Sequence, residues 1–144
     1  MTPVTVLRPE EETRVRELLD ALERPVELLV AVGPQASPLG AQDLDFGAET
    51  VRVAEGLAAL SGCVTVRVEH EPAGFPRFPA VSIRPEGEDA GVRYDGLPWG
   101  HELGSLIGGV LEAGKREPTL RPESREALAA LDRDLALDVF VTPT

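Results

Sequence analysis

The side chain best suited to chemistry in this sequence is the thiol of Cys63, the only cysteine among 144 residues. A single cysteine cannot form an intramolecular disulfide, a Cys-x-x-Cys redox pair or a zinc site built from several cysteines. A reactive thiolate also needs a helix N-terminus or a neighbouring cation, whereas Cys63 lies at a predicted helix-to-strand junction with alternating apolar neighbours. We therefore predict that Cys63 is a free thiol with a structural role, as a small, half-buried hydrophobe.

Glu102 is the second candidate for chemistry, because it follows His101 at the predicted start of a helix. The helix dipole stabilises a carboxylate at that position by about 0.3–1 kcal/mol, which is a purely structural explanation. A carboxylate can also act as a general acid or base. Glu102 is therefore the one residue that we single out for a supporting catalytic role.

Metal-ligating side chains form no convincing pattern. His70 and His101 are the only histidines, and two histidines without placed carboxylates are a weak metal signal. Asp43 and Asp45 are close in sequence, but they are also too weak a pattern to indicate metal ligands. The sequence predicts neither a metal site nor a cofactor.

Length and charge narrow the class of protein. A chain of 144 residues buries roughly 68–70% of its unfolded surface without disulfide or metal staples. The net charge of -11 argues against nucleic-acid binding, because neutralising phosphates requires a basic surface. No window approaches the roughly 20 apolar residues of a membrane span, and no signal segment follows Met1. We therefore expect a cytoplasmic protein that binds neither nucleic acid nor membrane.

Alternating apolar patterns place these residues on a predicted α/β domain that covers residues 1–115. Helical spacing of apolar residues indicates helices, and short β-branched or alternating runs indicate strands. The predicted helices are 10–23, 48–60 and 100–112, and the predicted strands are 26–32, 63–69, 79–83 and 92–94. A βαβ crossover makes its two strands parallel, and the last two strands form a hairpin. We therefore expect a mixed central sheet with helices on both faces.

Residues 116–144 extend beyond this domain. They begin as a linker, continue as a predicted helix at 122–132 and end in an apolar strand at 135–141. The chain also begins with a helix and then a strand, and Asp132-Arg-Asp134 mirrors the break before Val26. We interpret this tail as the opening of a truncated second fold. Its exposed strand would dock onto the first sheet or form a homodimer.

One segment carries a family resemblance. Residues 91–106 read Gly-Val-Arg-Tyr-Asp-Gly-Leu-Pro-Trp-Gly-His-Glu-Leu-Gly-Ser-Leu and resemble the end of the first thioredoxin fold in tandem-fold redox proteins. Those proteins are the glutaredoxin-like protein disulfide oxidoreductases and the N-terminal domain of the alkyl hydroperoxide reductase flavoprotein subunit. Residues 24–30, 60–65, 78–83 and 132–144 resemble further parts of the same families. The redox position differs, because residues 33–40 read Gly-Pro-Gln-Ala-Ser-Pro-Leu-Gly where the disulfide oxidoreductases carry Cys-x-x-Cys.

The resemblance implies a thioredoxin-like fold in which Pro79 is a cis-proline that, together with Phe78, docks an extended peptide. It also implies that Glu102 lies near a Cys-x-x-Cys of a second fold and assists proton transfer there. We accordingly expect a redox-inactive, thioredoxin-like domain that supports thiol–disulfide exchange carried out by that second fold. A peroxiredoxin or a disulfide client protein is the expected further partner.

Two other interpretations stay open. The chain could instead be a stand-alone module that binds a partner or a peptide through the Pro79 face and has no catalysis. It could also be a monothiol enzyme that uses Cys63. Trp99, the only tryptophan, is expected to cover the start of the last core helix or to rim an interface with a second fold.

Overall fold

The computed structural model describes residues 7–34 and 44–141. Its elements, in chain order, are α1 (Pro9–Asp20), β1 (Val26–Val32), α2 (Phe46–Ala58), β2 (Val64–His70), β3 (Ala80–Pro85), β4 (Val92–Asp95), α3 (His101–Ala113) and α4 (Pro122–Ala129). The elements predicted for the first domain are confirmed, and their ends lie within three residues of the predicted ones. No helix among the described residues is long and apolar enough to cross a membrane.

The four strands form one mixed sheet in the order β2-β1-β3-β4. β1 and β2 are parallel, with Val26 opposite Val64. β3 is antiparallel to both of its neighbours, so that Ser82 lies opposite Leu29 of β1 and opposite Arg93 of β4. The predicted mixed sheet, with a parallel βαβ unit and an antiparallel hairpin, is confirmed.

One face of the sheet carries the main hydrophobic core. Side chains alternate along a strand, so Val26, Leu28 and Val30 of β1 share a face with Val81 and Ile83 of β3, and all five are completely buried. Side chains of α1, α2 and α3 pack into this same core; they are Val15, Leu19, Val53, Ala54, Leu57, Leu103, Leu106, Ile107 and Val110. The three helices therefore cover this face, which we call the core face.

This arrangement corrects the expectation of helices on both faces. The segment that joins β2 to β3 spans only residues 71–79 and contains three prolines and a glycine. It is too short and too rich in helix-breaking residues to form a helix across the sheet. Instead, Phe75 and Phe78 of this segment pack against Leu29, Ala31 and Ala80 on the opposite side, which we call the polar face.

Charged side chains occupy the rest of the polar face. Arg67 of β2 lies 3.4 Å from a carboxylate oxygen of Glu27 and 3.2 Å from one of Glu69. In the strand register, Arg67 and Arg93 flank Leu29 and Ser82 in one row across the sheet. Two aromatic rings and a layer of ion pairs thus take the place of a helix.

The C-terminal tail does not pack on the domain. α4 has no buried residue, and residues 135–141 form no strand. Leu137, Val139 and Phe140 are 87%, 83% and 89% exposed. A strand requires a neighbour for its backbone hydrogen bonds, and none of the described residues provides one. The prediction of a strand at 135–141 is therefore wrong for this structure, and so is its docking onto the first sheet.

Candidate functional site

Three of the four candidate site residues, Phe78, Pro79 and Glu102, lie at the end of the sheet where β1 stops. Gly33 follows β1, and Pro79 directly precedes β3. The N–H of Gly96, just after β4, donates to the Pro79 carbonyl at 2.8 Å. Since α3 begins a few residues later, Glu102 lies at this same end of the sheet. Phe78, Pro79 and Glu102, which the sequence singles out, therefore share one end of the domain.

The Phe78–Pro79 peptide bond is cis, and Pro79 is buried. A Cβ atom on Gly33 would lie 2.6–2.9 Å from three ring atoms of Phe78. The ring therefore rests directly on the backbone at the end of β1, and it can do so because Gly33 has no side chain. Phe78 fills the space immediately beyond β1, against Gly33.

The start of α2 is capped by a carboxylate. Asp45 Oδ1 accepts the N–H of Ala48 at 2.9 Å, so one of the free amides that would stabilise a thiolate at a helix start is already bonded. Asp43 and residues 35–40 lie outside the described residues. Within the described ranges no group of three or more His, Cys, Asp or Glu side chains is placed to hold a metal ion.

Cys63 lies at the other end of the sheet. Its carbonyl accepts the N–H of Val26 at 2.9 Å, where β1 begins, and the seven residues of β1 span about 20 Å at ~3.3 Å per residue. The Cys63 N–H donates to Ser61 Oγ at 3.2 Å, and the Ser61 hydroxyl donates to Asp20 Oδ1 at 2.6 Å. The half-buried thiol has no ion pair with any described residue. The structure does not bring Cys63 together with Glu102.

The start of α3 has no side-chain cap. Gly100 precedes the helix with φ 61° and ψ -129°, a conformation that side-chain-bearing residues rarely adopt. Glu102 is the acidic residue in the first turn, where the helix dipole favours a negative charge. Glu102 is half-buried, and its carboxylate makes no hydrogen bond or ion pair with another described residue. Trp99, three residues earlier, is 41% exposed.

Tyr94, which the sequence analysis did not single out, fixes α3 on the sheet. Its hydroxyl donates to the Ser105 carbonyl at 2.9 Å and lies 3.2 Å from Ser105 Oγ. A Cβ on Gly109 would lie 2.7 Å from Ile83 Cδ1 and 3.1 Å from the Tyr94 hydroxyl, so the glycine lets α3 approach the sheet closely. These contacts set the position of the α3 N-terminus and hence of Glu102. The sequence signal for this contact is Gly109, which falls between the apolar residues Ile107 and Val110 of the predicted helix.

Arg93 holds the segment that carries Phe78 against the polar face. Its guanidinium carbon lies 4.1 Å from the centroid of the Phe75 ring, and its Nη1 donates to the Gly74 carbonyl at 2.6 Å. Arg77, in the same segment, lies 3.1 Å from a carboxylate oxygen of Asp95. The polar face therefore positions one side of the candidate site.

Asp89, in the β3–β4 loop, lies beside two arginines of the polar face, Arg84 and Arg93. We call these two arginines, together with Arg67, the arginine layer. Asp89 accepts the N–H of Gly91 at 2.8 Å and lies 3.8 Å from Arg84 and 3.5 Å from Arg93. The Gly91 hydrogen bond, followed by the charges of Arg84 and Arg93, lowers the pKa of Asp89 from its ordinary value. Asp89 consequently stays ionised to a lower pH than an aspartate with an ordinary pKa.

Relatives with similar sequences cover nearly the whole chain. The alkyl hydroperoxide reductase AhpF of Staphylococcus epidermidis is 23% identical over 139 residues, which are 96% of this chain and 25% of that protein. A protein described as an NADH dehydrogenase of Ferdinandcohnia aciditolerans is 28% identical over 137 residues, 95% of this chain and 24% of that protein. The chain thus spans about a quarter of the length of these curated relatives. No family model matches it.

Solved structures share the fold. The NTD N/C domain of the alkyl hydroperoxide reductase AhpF from Enterococcus faecalis superimposes with a TM-score of 0.73 at 20% identity, covering 88% of this chain and 62% of that one. A protein disulfide oxidoreductase from Aeropyrum pernix gives a TM-score of 0.68 at 20% identity, covering 86% and 55%. The resemblance inferred from residues 91–106 is therefore confirmed: this is a thioredoxin-like domain whose homologues and structural neighbours include the N-terminal domain of AhpF and a protein disulfide oxidoreductase.

Proposed function

We propose that this chain is the redox-inactive half of a tandem thioredoxin-like unit and supports thiol–disulfide exchange by a Cys-x-x-Cys in a second fold. The parent would be a glutaredoxin-like protein disulfide oxidoreductase or a peroxiredoxin reductase, working in the cytoplasm. Its partners would be the second fold and a peroxiredoxin or a disulfide client protein. The similarity to AhpF and to a disulfide oxidoreductase supports this proposal, as does the position of Cys63 at the far end of the sheet from Glu102.

The observation that carries the proposal is an ungapped repeat within the chain. Residues 16–32 and 125–141 are identical at nine of seventeen positions when the two segments are offset by 109 residues. The identical pairs are Arg16/Arg125, Glu17/Glu126, Leu19/Leu128, Ala21/Ala130, Leu22/Leu131, Arg24/Arg133, Leu28/Leu137, Val30/Val139 and Val32/Val141. The tail therefore repeats the end of α1, the following turn and all of β1.

Burial is opposite in the two copies of the repeat. In the domain, Leu28 and Val30 are completely buried, whereas their counterparts Leu137 and Val139 are 87% and 83% exposed. The pattern that builds a core in one copy has no surface to pack against in the other. A second fold would cover the tail as α2, α3 and the neighbouring strands cover β1.

Glu102 has the supporting role in this proposal. In thiol–disulfide exchange a thiolate attacks a disulfide, so that one S–S bond forms while another breaks. Oxidation of the second fold's cysteine pair to a disulfide would supply the two electrons that reduce the client disulfide to thiols. The Glu102 carboxylate, which has no partner among the described residues, would accept the proton of the attacking thiol and return it to the leaving thiolate.

Dithiol-dependent reduction of insulin tests the proposal. The chain itself is expected to have no activity above the dithiol background, and Cys63→Ser is expected to change nothing. Activity that is present in the chain and lost in Cys63→Ser would refute a redox-inactive domain and favour a monothiol enzyme. The coding sequence beyond Thr144 gives a second test, because a Cys-x-x-Cys directly downstream is expected and a stop codon would contradict the tandem unit.

The second candidate function is a stand-alone module that binds a partner or peptide without catalysis. It is favoured by Phe78 and Pro79, which lie at the end of the sheet where β1 stops, and by the absence of cysteine from residues 33–40. Titration of reduced insulin B chain would then shift the amide NMR signals around Phe78, and Phe78→Ala would abolish the shifts. Unchanged spectra would contradict peptide docking.

A homodimer through residues 135–141 belongs to this second candidate, since a free-standing chain leaves those apolar residues uncovered. Light scattering is then expected to report a dimer, and the amides of 135–141 are expected to exchange slowly. A monomer with rapidly exchanging amides in this segment would contradict the homodimer.

A further inference from the structure

The end of α3 is bonded to the turn between α1 and β1. The Gly114 carbonyl accepts the N–H groups of Glu23 and Arg24 at 3.1 and 3.2 Å. The Arg24 Nε group in turn donates to the Ala113 carbonyl at 2.9 Å. Gly114 is buried, and a Cβ at this position would collide with Leu22. The chain therefore leaves α3 at a fixed point and in a fixed direction.

The next residues continue this attachment. The Arg116 N–H donates to Glu23 Oε2 at 2.6 Å. The Lys115 ammonium donates to the side chains of Glu112 and Thr119, and the Thr119 hydroxyl donates to Glu112 Oε1 at 3.2 Å. The Lys115 hydrogen bond is the main cause that lowers the pKa of Glu112 from its ordinary value. We name residues 114–119 the bracket.

After the bracket, the described residues have no hydrogen bond or ion pair with the sheet or with α1, α2 or α3. Leu120 is 46% exposed, Arg121 makes no side-chain capping bond to α4, and α4 buries no residue. One contact joins α4 back to the bracket, because Arg125 Nη2 lies 2.7 Å from Glu117 Oε2. These side chains are 49% and 75% exposed, and ion pairs at such exposure are weak and screened by salt.

We propose that Leu120 and Arg121 form a hinge directly after the rigid bracket. Residues 114–119 move with the domain, whereas α4 and everything after it swing about Leu120 and Arg121, with the Glu117–Arg125 ion pair as a weak latch. A unit carried by α4 would thereby change its distance from the α3 N-terminus while the domain stays unchanged. The hinge does not depend on what that unit is, so it stands apart from the proposed function.

The latch uses a side chain with a second role in the repeat. Arg125 is the counterpart of Arg16, whose guanidinium donates to the Leu60 carbonyl at 3.0 Å in the domain. A following unit of the same fold would draw Arg125 into the equivalent contact and so open the latch. This step alone rests on the proposed function.

Backbone ¹⁵N relaxation of the full chain tests the hinge. Amides of 115–119, except that of Pro118, are expected to have order parameters of about 0.85, and those of Leu120 and Arg121 are expected to fall below about 0.6. Glu117→Gln removes one latch charge and is expected to lower the order parameters across α4 but not in the bracket. Glu126→Gln, which removes another exposed charge from α4 without touching the latch, is the matched control and is expected to change nothing.

Three results would overturn the proposal. Order parameters that already fall at Lys115 would contradict a rigid bracket. Order parameters at Leu120 and Arg121 as high as those of the domain would contradict a hinge. Equal effects of Glu117→Gln and Glu126→Gln on the order parameters of α4 would show that the Glu117–Arg125 ion pair does not restrain the helix. Glu23→Ala gives an independent check of the bracket, because loss of the Arg116 acceptor is expected to lower order at 115–119 and leave β1 unaffected.

Discussion

The two faces of the sheet are equally well buried at their centre, but by different means. Leu28 and Leu29 are consecutive residues of β1 and are 0% and 2% exposed. Leu28 lies under helices, whereas Leu29 lies under two phenylalanine rings in a row flanked by arginines. Apolar packing between helix and sheet does not depend on charge, while ion pairs between half-exposed groups contribute little and weaken with salt. The core face therefore supplies most of the stability of the fold, and the polar face positions the segment that carries Phe78.

The polar face also leaves hydrogen-bonding groups unmatched. Glu27 Oε1, Ser82 Oγ and Arg84 Nε are buried without a hydrogen-bond partner among the described residues, although Glu27 Oε1 lies within ion-pair distance of Arg67. On the helix side, the buried hydroxyl of Thr50 donates to a backbone carbonyl one turn earlier at 2.7 Å. The difference indicates that the core face is optimised for stability and the polar face is not.

The largest expected effect separates the two faces within a single strand. Leu28→Ala is expected to lower the free energy of unfolding by about 2–5 kcal/mol, because rigid helices cannot close the resulting cavity. Leu29→Ala is expected to cost less, since the side chains that cover it belong to a loop and can move inward. Urea denaturation measures both. Equal losses would show that the polar face is packed as rigidly as the core face.

A smaller effect is expected where the polar-face loop meets the end of β1. Gly33→Ala is expected to destabilise the domain by about 1–3 kcal/mol, because the new methyl group would displace the Phe78 ring. Gly56→Ala is the matched control: nothing lies within 4 Å of the position that its new methyl group would occupy, and replacing this glycine in the last turn of α2 is expected to stabilise the domain by up to about 0.5–1 kcal/mol. If Phe78→Leu fails to relieve the Gly33→Ala penalty, the clash is not with the ring.

Two buried hydroxyls sharpen the contrast further. Ser82→Ala is expected to leave the free energy of unfolding unchanged or to raise it by about 1 kcal/mol, because a buried hydroxyl without a partner is removed. Thr50→Val keeps a similar shape but loses a hydrogen bond, and it is expected to cost about 1 kcal/mol. Thermal unfolding measures the stability of both variants. A clear loss in Ser82→Ala would mean that its hydroxyl is bonded in solution.

The smallest expected effect is the pH dependence of the arginine layer. Because folding lowers the pKa of Asp89, its ionised form contributes stability at neutral pH, and that contribution is lost as pH falls through the lowered pKa. Asp89→Asn is therefore expected to cost no more than about 1 kcal/mol near pH 7 and nothing at the acid end. Glu88→Gln serves as control, and the two variants are compared by denaturation across pH at low salt. A cost for Asp89→Asn that persists at low pH would assign its effect to packing.

Much of the fold could be predicted from the sequence. The apolar run of β1, the helical spacing of α1 and α3 and the hairpin after β3 are local patterns, and local patterns place elements well. The motif around Tyr94 and Glu102 indicated the fold family, because its glycines and proline are the residues of a turn that leads directly into the start of a helix.

The distribution of helices and the fate of the tail could not be predicted in the same way. Coverage of the polar face depends on two phenylalanines in an irregular loop, and no periodicity shows where such rings will pack. The segment 135–141 has the composition of a strand, but composition does not supply a hydrogen-bonding neighbour. The contact between Gly33 and Phe78 joins residues far apart in sequence, so it is visible only in three dimensions.

The repeat at offset 109 has a consequence for the history of the chain. An ungapped match of this kind is what duplication within a gene leaves behind. Along the strand, the copies are identical at three of the four positions whose side chains face the core, Leu28, Val30 and Val32, and the fourth position pairs Val26 with the equally apolar Leu135. They differ at all three positions whose side chains face the polar side, where Glu27, Leu29 and Ala31 have Ala136, Asp138 and Phe140 as their counterparts. The two copies have thus kept a common interior and diverged on the face where a thioredoxin-like domain can acquire new contacts.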